Sequence, residues 1–115
     1  MAKDTLYLLN MGFSDDLYPQ TRFFCPDCTL LEGLLASNPV QASAIDVVYV
    51  DFAKPRHALI AQVGEQNQSL PLLILSTGSS SEHQSGIYNG RSYITDLNGI
   101  TAAMAERHGF PVKHP

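Results

Sequence analysis

The sequence predicts an α/β domain whose elements run β-α-β-α-β-β-α and build a mixed four-stranded sheet. Three observations carry that expectation. Short apolar runs at 5–9, 45–50 and 70–75 have the length and composition of strands. Between and after them stand segments with apolar residues at helical spacing, each bounded by recognisable start and stop residues. Near the end, Gly86 to Ile94 reads as a weak hairpin partner turning at Asn89-Gly90. The right-handed crossover rule makes the first two strands parallel neighbours, and the last pair is antiparallel.

Thr5-Leu6-Tyr7-Leu8-Leu9 is the first strand, and its apolarity predicts burial. Met11 to Phe24 is read as a loop, punctuated by Gly12, Asp15-Asp16 and Pro19. That is long for a strand-to-helix connection, and such loops are often functional. The first helix runs from Pro26 to Ser37 and is stopped by Asn38-Pro39. Ile45, Val47, Val48, Tyr49 and Val50 form a β-branched run, expected to be a central strand covered on both faces.

Lys54-Pro55 opens the second helix, through Ala58, Leu59, Ile60 and Val63, with Gly64 as its C-cap. The third strand is Leu70 to Leu75, with Pro71 at its start because an interior proline would remove a ladder hydrogen bond. Ser76 to Ser85 reads as an exposed loop. Thr95 and Asp96 cap the last helix, Leu97 to His108, which Gly109 closes. Tyr7, Tyr49, Phe52 and Phe110 are assigned to the core, and Tyr18, Phe23 and Phe24 to a groove beside Cys25.

The bulk numbers narrow the function. A chain of 115 residues, 44% hydrophobic and 16% charged, is one globular domain over 1–115. The net charge of -4 argues against a nucleic-acid partner, since no basic stripe is present to neutralise phosphates. No apolar run approaches the roughly 20 residues that cross a bilayer, so no membrane role is expected. After Lys3 and Asp4 comes only the short segment Thr5 to Met11, not a signal-peptide pattern, and a cytoplasmic location is expected. In that reducing compartment two cysteines point to catalysis, redox sensing or metal binding rather than a structural staple.

Both cysteines lie in Phe24-Cys25-Pro26-Asp27-Cys28, at the start of the first helix. The unpaired N–H groups and positive dipole end there favour a thiolate at Cys25. Cys28 is one turn on, placed to close a small disulfide ring. This is the pattern for thiol–disulfide exchange, with Cys25 as nucleophile and Cys28 as resolving thiol. Zinc is the second reading of the same thiols. It wants four ligands, and none of His57, His83, His108 and His114 stands at a paired spacing.

The element order, Cys25-Pro26-Asp27-Cys28 after strand one and a proline leading strand three together resemble a thioredoxin-like protein over nearly the whole chain. The motif is closer to the glutaredoxin Cys-Pro-Tyr-Cys than to thioredoxin's Trp-Cys-Gly-Pro-Cys. Gly64 to Pro71 and Glu106 to Pro111 are also similar to a bacterial thioredoxin-like family of unknown function. The resemblance implies helices on both faces of the sheet and a cis Leu70–Pro71 bond. Pro26, Leu70 and Pro71 would then border an extended substrate, paired to the Leu70 backbone. It further implies that Arg22 meets a glutathione carboxylate, and that Thr95 with Asp96 holds the γ-glutamyl end.

The implied function is a thiol–disulfide oxidoreductase with no bound cofactor, glutathione as cosubstrate, and a disulfide-containing protein or glutathione as partner. The alternative is a non-catalytic binding or redox-sensing module on the same scaffold. Asp27 departs from the glutaredoxin pattern, replacing the aromatic residue. Its charge raises the Coulomb cost of a thiolate and repels anionic glutathione.

Overall fold

A computed structural model describes residues 3–115. In chain order the strands are β1 (Asp4–Leu9), β2 (Phe13–Ser14), β3 (Arg22–Phe23), β4 (Ile45–Val50), β5 (Leu72–Ile74), β6 (Gly86–Tyr88) and β7 (Arg91–Ile94). The helices are α1 (Pro26–Ser37), α2 (Pro39–Ala42), α3 (His57–Val63) and α4 (Leu97–His108). The main sheet is mixed and has five strands in the order β4-β1-β5-β7-β6. β1 runs parallel to β4, with Leu6 opposite Val47, and antiparallel to β5, with Leu6 opposite Leu73. The expected count of four is corrected because both arms of the hairpin at 86–94 join the sheet. Its turn residues Asn89 and Gly90 take φ 49° and 78°, the left-handed backbone that a two-residue hairpin requires.

Alternation along β1 and β5 sends side chains to two separate cores. Leu6, Leu8 and Leu73 pack with Leu31 and Cys28 of α1 and Ile100, Ala103 and Met104 of α4. Tyr7, Leu72 and Ile74 pack on the other face with Leu59 and Val63 of α3. Helices therefore cover both faces. Burying each such leucine or isoleucine contributes about 1.5–3 kcal/mol, so the paired β1–β5 centre is where the hydrophobic gain concentrates.

Helix ends are where local chemistry decided most. α4 has Asp96 as N-cap, its carboxylate accepting the Gly99 N–H at 2.8 Å, and Gly109 in the left-handed conformation as C-cap. Arg107 and His108 in the last turn suit the negative end of the dipole. Pro39 does end α1, but it also begins the extra turn α2, since proline is favoured at a first helical position.

Four further expectations are corrected. Ile45–Val50 is an edge strand, not a central one, and among the described residues pairs only with β1. Its Val48 and Tyr49 are exposed, and the Tyr49 hydroxyl donates to Glu32 Oε1 at 2.8 Å instead of entering the core. Met11 to Phe24 is not plain loop: Phe13 pairs with Phe23 and Ser14 with Arg22 in a two-stranded ribbon. Phe52 belongs to the aromatic stack of that ribbon, at 4.6 Å from Phe13, rather than to either main core. Among the described residues, no helix is long and apolar enough to cross a membrane.

Candidate active site

Cys25 is the N-cap of α1, with extended backbone at φ −83° and ψ 120°. The chain thus enters the helix with this thiol beside the N–H groups that no helical carbonyl can satisfy. The Cys28 N–H donates to Cys25 Sγ at 3.3 Å. Pro26 follows at the first helical position, where it has no N–H to leave unpaired. The Cys25 carbonyl starts the helical ladder by accepting the Thr29 N–H at 2.9 Å. Cys25 is held at the positive end of the helix dipole and is half-buried, not sealed.

Cys28 lies one turn further, 3% exposed, in the core with Leu31. Its sulfur accepts the N–H of Leu9, the last residue of β1, at 3.5 Å. Burial above all pushes the Cys28 thiol up to about 12; the Leu9 N–H opposes that rise, and Cys25 and the Asp27 charge add to it. The two thiols are therefore unequal. Cys28 is protonated across the neutral range, and only Cys25 is open to a substrate.

Pro71 is buried at the head of β5, preceded by a cis Leu70–Pro71 bond. Leu70 packs against the same cluster as Cys25 and Cys28. Among the described residues its backbone N–H and C=O have no hydrogen-bond partner. Behind this loop stands Arg56, which sequence reasoning passed over. It is 7% exposed, and its guanidinium donates to Phe52 O at 2.6 Å and to Gln68 O at 2.7 Å. Gln68 returns the contact by accepting the Arg56 N–H at 2.7 Å. Arg56 therefore ties the segment before α3 to the one leading into Leu70. Burial pulls its guanidinium below the usual range, with Cys28 opposing. Its only sequence signal is a cation between Pro55 and an apolar helix.

The other predicted residues each make a hydrogen bond within the fold. Arg22 Nε donates to Gly12 O at 2.8 Å. Gly12 has φ +74°, and a Cβ there would come within 2.6 Å of the Arg22 guanidinium, so the glycine admits this contact. The Thr95 N–H donates to Ser85 Oγ at 2.9 Å, and one oxygen of the exposed Asp96 carboxylate makes the capping bond. Aromatic contacts tie the ribbon to the segment that carries Phe52 and Arg56. Tyr18 meets Phe23 edge-on at 5.7 Å, Phe23 lies 5.9 Å from Phe13, and Phe13 stacks on Phe52. The Arg56 guanidinium sits 5.5 Å from the Phe52 ring.

The cysteines join no group of three potential metal ligands among the described residues; Glu82, His83 and Glu106 do form one. There His83 Nε2 donates to Glu106, pinning the serine-rich loop to α4. His108 is half-buried and donates to Asp4 Oδ2 at 2.7 Å. An apolar depression of about 390 Å³ also opens between α1 and α4, lined by Leu30, Leu34, Leu97 and Val112 and apart from the sulfurs.

The family described as a protein of unknown function (DUF3088) matches residues 3–112. The chain belongs to this family. No curated protein and no solved structure matches it. In this DUF3088 domain the two thiols, one half-buried and one buried, stand together at the N-terminal end of α1.

Proposed function

We propose that the protein is a thioredoxin-like dithiol oxidoreductase. The observation that carries this is the pairing of a reachable Cys25 sulfur at a helix N-cap with a buried Cys28 sulfur one turn behind it. The sheet order β4-β1-β5-β7, with Pro71 leading β5, supports the thioredoxin-like assignment.

Cys25 thiolate attacks one sulfur of a substrate disulfide. The substrate S–S bond breaks, and its other half leaves as a thiolate that takes a proton from solvent. Cys28 then loses its proton and attacks Cys25 Sγ, releasing the second half as a thiol and forming Cys25–Cys28. The substrate gains two electrons and two protons, and a small-molecule thiol or dithiol returns the pair to its reduced form. Once Cys25 is in the mixed disulfide it carries no charge. Its share in raising the Cys28 thiol disappears then, and Cys28 becomes easier to ionise at the step that needs it.

Leu70, packed on the core cluster that also holds the cysteines, offers free backbone groups for an extended chain, in the manner of strand addition. A dithiol working as a reductant suits a reducing compartment such as the cytoplasm. Of the residues that would hold glutathione, Arg22 Nε, the Thr95 N–H and one Asp96 oxygen already make internal hydrogen bonds, which leaves the rest of each exposed charged group for a ligand.

The test is turnover of a small aromatic disulfide with excess dithiol as electron source. The native chain should exceed the uncatalysed rate and Cys25→Ser should fall to it; with the dithiol left out, Cys28→Ser should stop after forming one equivalent of mixed disulfide. Equal rates for the native chain and Cys25→Ser would sink the proposal and leave the scaffold as a binding module.

A further inference from the structure

The ribbon beside Cys25 exposes more apolar surface than its own packing explains. Of the eleven exposed large hydrophobic side chains among the described residues, four lie between Met11 and Phe24. They are Met11 at 56%, Leu17 at 81%, Tyr18 at 58% and Phe24 at 59%. Such a concentration on one short segment marks an interaction surface more than scattered exposure does. Phe24 is the residue next to Cys25. Tyr18 rests on Phe23, only two residues from Cys25, a chain distance of at most about 7 Å.

The segment is held in place from within. Phe13 stacks on Phe52 at 4.6 Å and 6°, and Arg22 binds Gly12 O across the ribbon. Phe13 backs Phe23 and Phe23 backs Tyr18, so a ligand meets the Tyr18 ring at a reduced ordering cost. The charge is also one-sided. From Met11 to Cys28 the chain has three aspartates, Asp15, Asp16 and Asp27, against Arg22 alone. Anions are repelled there and cations drawn in.

Resting on the dithiol reading above, we propose that the ribbon is a docking platform for one substrate class: a polypeptide disulfide flanked by apolar and basic residues. Apolar side chains of the substrate would cover Leu17, Tyr18 and Phe24 while lysine or arginine faces the aspartates. The substrate cysteine is then delivered to Cys25, whose thiolate breaks the substrate S–S bond and expels the other half as a thiol. The tripeptide anion glutathione has neither the apolar reach nor the charge for this surface.

The test uses the full chain carrying Cys28→Ser, which holds the mixed disulfide so that mass spectrometry can time its formation. Three probes are compared at equal concentration: glutathione disulfide, a peptide disulfide with Phe and Arg beside each Cys, and one with Ser and Glu there. The Phe/Arg probe should react about tenfold faster than either of the others. Adding Leu17→Ser and Phe24→Ser, both at exposed positions, should bring the ratio of Phe/Arg to glutathione rates toward unity.

Equal rates for all three probes, or a ratio untouched by the double substitution, would overturn the platform and leave the dithiol chemistry standing. No mixed disulfide with any probe would instead overturn the dithiol reading beneath it. If the native chain sediments as a dimer that the double substitution dissociates, the patch seats a second copy and the proposal fails.

Discussion

At the residue scale the site depends on two identical side chains made unlike by position. Cys25 gains an N–H at the open end of a helix, while Cys28 is driven up to about 12 chiefly by burial. This gives a direct expectation for alkylation with iodoacetamide at pH 7 to 8. The folded protein should take one equivalent, on Cys25, and the urea-unfolded protein two, as read by mass spectrometry. Rapid labelling of Cys28 in the folded chain would mean that its sulfur is not shielded. The cysteine pair and Pro26 were legible in the sequence because an N-cap is set within four residues. Arg56 was not, because its partners Phe52 and Gln68 flank it at a distance and no local pattern links them.

At the element scale α1 and α4 match their expected bounds, since each carries its own stop and start residues. Strands fared differently. The β-branched run Ile45–Val50 looks central by composition, yet which strand lies inside a sheet depends on pairing partners far along the chain. The β2–β3 ribbon has two residues per strand, too short to show any period, and is held by Phe13 on Phe52, a segment 39 residues on. Phe13→Ala should loosen that stack by about 1–2 kcal/mol, an aromatic contact and its partial burial. Limited chymotrypsin digestion should then cut between Met11 and Phe24 roughly tenfold faster, because local opening sets the cleavage rate. An unchanged rate would show that the ribbon is held by something other than the stack.

At the scale of the whole molecule, the first strand and last helix are fastened by a buried carboxylate. Asp4 accepts Arg107 Nε at 2.7 Å and Nη2 at 2.8 Å, the Ser76 N–H at 2.7 Å, and His108 Nε2. Burial alone would raise its pKa, but the bonds from Arg107, Ser76 and His108 together hold it below the usual carboxylate range. A depressed folded pKa means the stabilisation is present above the unfolded value of about 3.9 and is lost as pH falls through the folded one. Asp4→Asn should therefore destabilise the protein at pH 7 by about 3 kcal/mol, the low end for breaking a buried pair because Arg107 keeps some contact with water. Urea unfolding should show the gap between native and variant narrowing from pH 5 toward pH 2. A gap constant with pH would rule out the ionised Asp4 as the fastening group.

By itself the sequence determined the α/β class, the limits of the two long helices, the hairpin turn at Asn89-Gly90 and the position of the thiol pair at a helix mouth. Caps, turns and periodicity act over a few neighbouring residues, so they are written where they operate. The tertiary structure alone decided which strand sits at the edge, that the long connection folds into an aromatic ribbon, and that Arg22 reaches back to Gly12. It also made Cys28 so reluctant to ionise. Burial, ion pairing and ring stacking join residues tens of positions apart, and their strength follows from the shape they complete together.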